Sequence, residues 1–202
     1  MAYLLPLFPL DLVLFPGTAL PLHIFEPRYK EMIGECIAQH SAFGVVRAVE
    51  KGIAHIGCTA EVITVTKEYP DGRLDIVTEG RQRFEVLELN HERSFLRATV
   101  RIVDDEPFVS SPQETARAMQ LHAEILALAG AAQDIASADR TKLSFHLASS
   151  LPLDLDFKQK LLALHSESER IAALAGYLET ILPNLRRVSH VREKAGGNGH
   201  AL

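Results

Sequence analysis

Tryptophan is absent from the 202 residues, and there are two cysteines, Cys36 and Cys58. They form no CxxC pair, so neither a zinc site nor a redox motif is suggested. Two buried thiols in a reducing compartment are the expectation. No apolar run approaches the ~18 residues that a membrane span needs, so no membrane partner is expected. The N-terminus is apolar but lacks a basic n-region and carries Pro6, Pro9 and Asp11. That argues against a signal peptide and for a cytoplasmic protein. A basic excess is missing too: the net charge is −5 and the pI about 6.0. Residues 1–109 hold 11 Lys and Arg against 16 Asp and Glu, whereas residues 110–202 hold 10 of each. A phosphate-backbone binder usually presents a basic face, so nucleic acid is disfavoured as a partner.

Motifs for common chemistries are also missing. There is no GxxxxGK[ST] loop, no HExxH and no GxSxG, which removes the simplest routes to nucleotide hydrolysis and to metal or serine hydrolysis. His23-x-x-Glu26 has two potential ligands, too few for a metal site. The residue reading has His23 packing and Glu26 ordering a helix start beside the positive helix end. Asp139, Ser144 and His146 are close in sequence, which is not triad geometry. No catalytic residue, metal or cofactor is expected.

What is present centres on residues 15–29, FPGTALPLHIFEPRY. Pro16-Gly17 signals a turn. Leu20, Leu22 and Ile24 follow on one strand parity, His23 and Phe25 on the other. Pro27 fits the first helical position, and Tyr29, Met32, Ile33 and Cys36 then repeat at helical spacing to about Gln39. If Phe25 is core, Phe25→Asp unfolds the domain; if the variant is as stable as the parent, Phe25 is a surface binding candidate.

Further strands are expected over residues 3–8, 12–15, 42–49, 56–69, 74–78, 83–89 and 95–103. Turns are expected at Pro70-Asp71-Gly72 and Glu79-Gly80. Short strands with glycine turns suggest a small, partly closed barrel. Gly44, inside a strand, marks a close backbone approach. Arg81 and Arg83, at the same parity, either clamp an anion or pair with Glu61, Glu79 or Glu85.

Asp104 to Pro107 is the best boundary, after which composition shifts to Ala, Leu and Gln. Ser111-Pro112-Gln113-Glu114 is a capping box for a helix to about Ala129, striped with Met119, His122, Ile125 and Leu126 and ended by Gly130. Helices are expected over 140–149, after an Asp154 cap, and after a Ser166 capping box, the last ending at Pro183. The domains are therefore 1–106, β-rich, and 107–183, a helical bundle. Residues 184–202 read as a disordered tail.

Three segments carry a resemblance: residues 5–29 (LPLFPLDLVLFPGTALPLHIFEPRY), 70–86 (PDGRLDIVTEGRQRFEV) and 148–174 (ASSLPLDLDFKQKLLALHSESERIAAL). Together they resemble the substrate-recognition domain of ATP-dependent Lon proteases, which also occurs alone as a small bacterial protein. The likeness runs over about residues 4–182. It implies an α+β fold: a PUA-like barrel or sheet with one helix, then a helical bundle. It implies a non-catalytic module that recognises unfolded segments or a specific protein partner. RNA or nucleotide binding through the PUA-like barrel is the alternative. Full Lon proteases continue into ATPase and serine-lysine protease domains; this sequence carries neither, so neither activity is expected of it. Arg28 and Tyr29 stand in the family's EPRY signature. Arg28 is either a salt bridge tying helix to sheet or the rim of a recognition cleft. Phe25, Glu26, Arg28, Tyr29, Arg81 and Arg83 are the binding candidates, and a homodimer is compatible with the sequence.

Overall fold

Backbone pairing organises the β-rich part. The computed structural model describes residues 1–106, 110–131 and 142–197, with 190–197 by backbone only. Its contacts divide the chain into two compact units: Met1–Asp105 with Leu153–His165, and Glu106–Pro152 with Ser166–Leu202. The fold is α+β, with a mostly antiparallel sheet and, among the described residues, five helices.

The first unit contains β1 (Ala2–Leu10), β2 (Ala19–Ile24), α1 (Pro27–Gln39), β3 (Phe43–Val49), β4 (Gly52–Ile53), β5 (Ile56–Glu68), β6 (Leu74–Asn90), β7 (Arg97–Val103) and α4 (Leu155–Ala163). Pairing follows β1-β7-β6-β5-β3, and β3 pairs back in parallel to β1, so these five strands form a closed ring. β2 adds to β6 and β4 to β3. Closure pairs the end strands of the ring with each other, although β5 runs on past the end of β3.

β1 runs through Pro6 and on past Pro9, where the strand expected over 3–8 was to break, and residues 12–15 form no strand. The prolines fit because β1 changes partner along its length. It pairs with β7 over residues 2–6 and with β3 over residues 7–10, so a missing donor is tolerated on the other side. Glu79-Gly80 likewise makes no turn: β6 passes straight through it for 17 residues. Gly80 is there because of a close approach. A Cβ on it would overlap the Phe15 carbonyl oxygen, and the Gly80 N–H donates to Thr18 O at 2.9 Å. At Gly44 the close approach is to side chains, the Phe84 ring first at 2.6 Å from where a Cβ would stand; at Gly57 it is to the same ring at 2.6 Å and to the Val45 carbonyl oxygen at 2.7 Å.

Phe84 thereby fills one buried cluster with Leu5, Leu7, Val46, Ala98 and Val100. A second cluster packs Tyr29, Met32, Ile33 and Cys36 of α1 against Phe8, Phe43, Ile76 and others on the strands. α1 begins at Pro27 as expected, but Glu26 makes no side-chain cap.

α4 was expected within the helical domain; its contacts place it in the β unit. The physical reason is polar. Arg83, 3% exposed, donates from Nη1 to the carbonyls of Leu162 (2.9 Å) and Leu164 (2.6 Å) and pairs through Nη2 with Asp105. Gln159 Nε2 donates to Ile56 O at 2.9 Å, and Arg47 pairs with Asp156 at 2.5 Å. Asp154 caps the helix through the Asp156 and Phe157 N–H groups.

The second unit contains α2 (Pro112–Leu128), α3 (Leu143–Ser149) and α5 (Glu167–Gly197). The Ser111–Glu114 capping box forms in both directions. Residues 140–141, the expected start of α3, lie outside the described residues. α5 continues through Pro183 to Gly197, where an end and a tail were expected. An interior proline forfeits one backbone hydrogen bond. Anchors on both sides hold the helix: Leu178 and Leu182 are buried, and Arg186 pairs with Glu124 of α2. Residues 198–202 of that expected tail lie outside the described residues.

Polar groups inside this unit are paired. Arg170 is fully buried, 4.3 Å above the Phe145 ring, and binds Glu167 Oε2 and Ser144 Oγ. Burial pushes the Glu167 carboxyl up, against the Ser144 and Arg170 contacts that lower it. His122 sits 2.7 Å from Ser150 Oγ, which itself donates to Leu147 O. The hydroxyl therefore accepts from His122 Nε2–H. Burial, then the nearby His146, lowers the His122 pKa.

Four variants test this packing by urea denaturation. Gly80→Ala loses about 3 kcal/mol, because the Phe15 backbone cannot yield, whereas Gly34→Ala, with open space around it, gains about 0.5–1 kcal/mol in α1. Arg83→Met loses about 3 kcal/mol or more, since buried carbonyls and Asp105 lose their donor. A lowered histidine pKa means the unfolded chain binds the extra proton, so stability is full above pH ~6.5 and falls as pH drops below it. His122→Gln is expected to show a smaller stability loss than the parent between pH 7 and 5.

Candidate functional site

Strand parity decides which side chains reach the surface of β2. Leu20 and Leu22 pack inward and Ile24 is buried, so His23 and Phe25 point outward. Phe25 is 58% exposed, a large apolar area left in water just before α1. It is a surface residue and not core.

Register brings its neighbours. β2 pairs with β6 so that His23 faces Asp75. His23 Nδ1 lies 2.5 Å from Asp75 Oδ1, and Tyr69 O–H donates to Asp75 Oδ2 at 2.9 Å. These hydrogen bonds, His23's first, hold the Asp75 carboxyl below its usual value. The Phe25 ring stacks on His23 at 5.9 Å, and Tyr69 meets His23 edge-on at 5.8 Å. Lys67 and Arg73 stand 4.4 and 4.7 Å from the Tyr69 ring centre. The turn closing β5 and β6 forms at Pro70-Asp71-Gly72 as expected and places Tyr69 and Arg73 there. Lys30 Nζ of α1 donates to Asp71 O and ties the helix to this turn.

The cluster is thus an exposed aromatic patch with two cations at the Tyr69 ring and one shared carboxylate. Such a patch can take an apolar side chain against Phe25 while its polar rim meets peptide groups. Among the described residues no group of three or more His, Cys, Asp or Glu is arranged to hold a metal. No helix there is long and apolar enough to cross a membrane.

The other candidates fall into separate roles. Glu26 pairs with Arg28 at 2.8 Å, and the Arg28 guanidinium lies 4.6 Å over the Tyr29 ring. Arg28 therefore stays at the surface, and the helix-to-sheet tie expected of it is made by Lys30. Tyr29 is 7% exposed and packs on Phe8 at 4.0 Å, as part of the core cluster. Arg81 pairs with Glu61 and Glu79 on the sheet. Arg83 is buried against α4 and is not at the surface. His23 does not pack in the core, because Asp75 holds it outside. Ser144 is buried on Glu167, and Asp139 lies outside the described residues. His23, Lys67, Tyr69, Arg73 and Asp75 were missed as site residues. Parity already turned His23 outward, but only the β2–β6 register brings the others to it.

Comparison with known proteins agrees with this architecture. Residues 4–180 match the family described as the ATP-dependent protease La (LON) substrate-binding domain. The Lon protease of Flavobacterium johnsoniae is 24% identical over 94% of this chain and 26% of its own length. That of Parabacteroides distasonis is 32% identical over 56% of this chain and 14% of its own length. The chain thus spans about a quarter or less of these relatives. The crystal structure of a Lon N-terminal domain protein from Xanthomonas campestris has a TM-score of 0.71 at 25% identity, covering 87% of this chain and 98% of that one. The N-terminal domain of a Mycobacterium avium complex Lon protease has a TM-score of 0.65 at 17% identity, covering 88% and 98%, and supports the fold alone. With a family match over residues 4–180 and the same architecture, the chain belongs to the LON substrate-binding domain family.

Proposed function

We propose that the chain captures unfolded or exposed apolar segments of other proteins on the Phe25 surface of its β unit. The observation that carries this is the exposed Phe25 ring, stacked on His23 beside Tyr69 and rimmed by Lys67, Arg73, Glu26 and Arg28. In a member of a substrate-binding family, the large Phe25 ring left in water on the β unit offers a place for a client's apolar side chain. On this reading the β unit is a PUA-like barrel, and α2, α3 and α5 are the bundle beside it in the chain.

Hydrogen bonds from His23 and Tyr69 to Asp75 fix the side chains beside the ring, so the patch is preorganised. The client is flexible and loses conformational entropy on docking, which sets the expected affinity near ~1 μM. The chemistry is binding without bond making, because neither a nucleophile–base pair nor a metal group is offered by the patch.

A fluorescently labelled, reduced and carboxymethylated protein is the probe. Phe25→Asp is expected to weaken its binding about tenfold or more. The variant should unfold at the same urea concentration as the parent, because Phe25 is on the surface. Unchanged affinity in the folded variant would contradict the assignment.

A further inference from the structure

Strand β5 has a partner on one side only over half its length. β3 pairs with it up to Phe43↔Ala60 and goes no further, while β6 pairs with its other edge to Glu68↔Leu74. Among the described residues no strand pairs with the outer edge of β5 beyond Ala60. Where β3 stops, the end of α1 turns away and leaves a groove of about 430 Å³. Cys36, Ile37, His40 and Ser41 form one wall and residues 61–65 the other. The groove continues the line of β3 in the sheet.

Three observations define an occupant. The backbone edge calls for an extended chain, since peptide N–H and C=O groups seek partners. Ile63 is 50% exposed, and Ile37 and Val62 are half-buried beside it, which calls for apolar side chains at alternate positions. The charge is negative. No Lys or Arg lines the groove, Glu61 and Glu79 share the single guanidinium of Arg81, and the C-terminal end of α1 has no basic residue in its last turn. Register shifts between Val62 and Thr64 and between Val65 and Lys67 bend the edge. A bent edge hinders long sheet-to-sheet pairing and admits a short segment of ~16 Å over five residues.

We propose that the outer edge of β5 over residues 61–65 takes up a short extended client segment as an added strand, apolar at alternate positions and basic between them. The proposal rests on the substrate-binding reading and adds a second contact, apart from Phe25, with its own chemistry.

The probe is a synthetic peptide of alternating Val and Lys, about ten residues long, which spans the groove. Binding is followed by the amide resonances of residues 61–65 and by fluorescence anisotropy. Those resonances should shift, and Ile63→Lys should weaken binding about tenfold, as should replacing the peptide's lysines by glutamates. N-methylation of every second peptide residue, in one of the two phases, should abolish binding, because it removes the ladder donors. Leu89→Lys, an exposed position of β6 that does not line the groove, should leave the affinity within about twofold. Equal binding of both N-methylated phases, or full affinity in folded Ile63→Lys, overturns the edge site. So does concentration-dependent dimerisation that Ile63→Lys removes, since a second copy would then hold the edge. If the carboxymethylated protein binds through Phe25 but the peptide does not bind, this site falls and the Phe25 reading stands. If the carboxymethylated protein fails and the peptide shifts residues 61–65, the reverse holds.

Discussion

Every buried peptide group needs a partner, and the β unit meets that need through one strand. β6 pairs with β2 and β5 along its first half and with β5 and β7 along its second. Remove its pairing and the closed ring opens. Its length sets other features. Gly80 is required where Phe15 crosses it, Phe84 fills the space that Gly44 and Gly57 leave, and Asp75 stands opposite His23. The same pairing rule has an unfilled remainder at the outer edge of β5, which is why that edge attracts a strand.

Polar groups taken out of water make the second set of constraints. Arg83 binds the last carbonyls of α4 and Asp105, so a helix distant in sequence joins the β unit. Arg170, Glu167 and Ser144 close a comparable set in the helical unit. Each is costly to break and modest in net gain, so these groups serve to specify a particular packing. The exposed ion pairs, such as Arg81 with Glu61 and Glu79, add little stability and mainly shape the surface charge.

Much of this was legible in the residues. Helical spacing located α1, the capping box located α2, and Asp154 located α4, because these signals are local. Parity put His23 and Phe25 on one side of β2, yet the residue reading packed His23 inward, because Asp75 lies in another strand. Long-range pairing defeated local signals elsewhere. Glycine at position 80 looked like a turn but answers a crossing backbone. Strict alternation would put Val62 and Val65 on opposite faces of β5, but a register shift turns Val65 back to the core side. Pro183 looked like a stop, but burial of Leu182 and the Arg186–Glu124 pair carry α5 past it. The patch around Phe25 needed the β2–β6 register, which periodicity does not contain.

Hydrogen exchange of the full chain, with and without a saturating carboxymethylated protein, tests most directly that the β unit is the client-binding part. Protection should appear at residues 23–30 and 67–75, with 61–65 joining if the β5 edge is engaged, and exchange in α2, α3 and α5 should be unchanged. Protection confined to those three helices, or none at saturation, would contradict the assignment of recognition to the Phe25 surface.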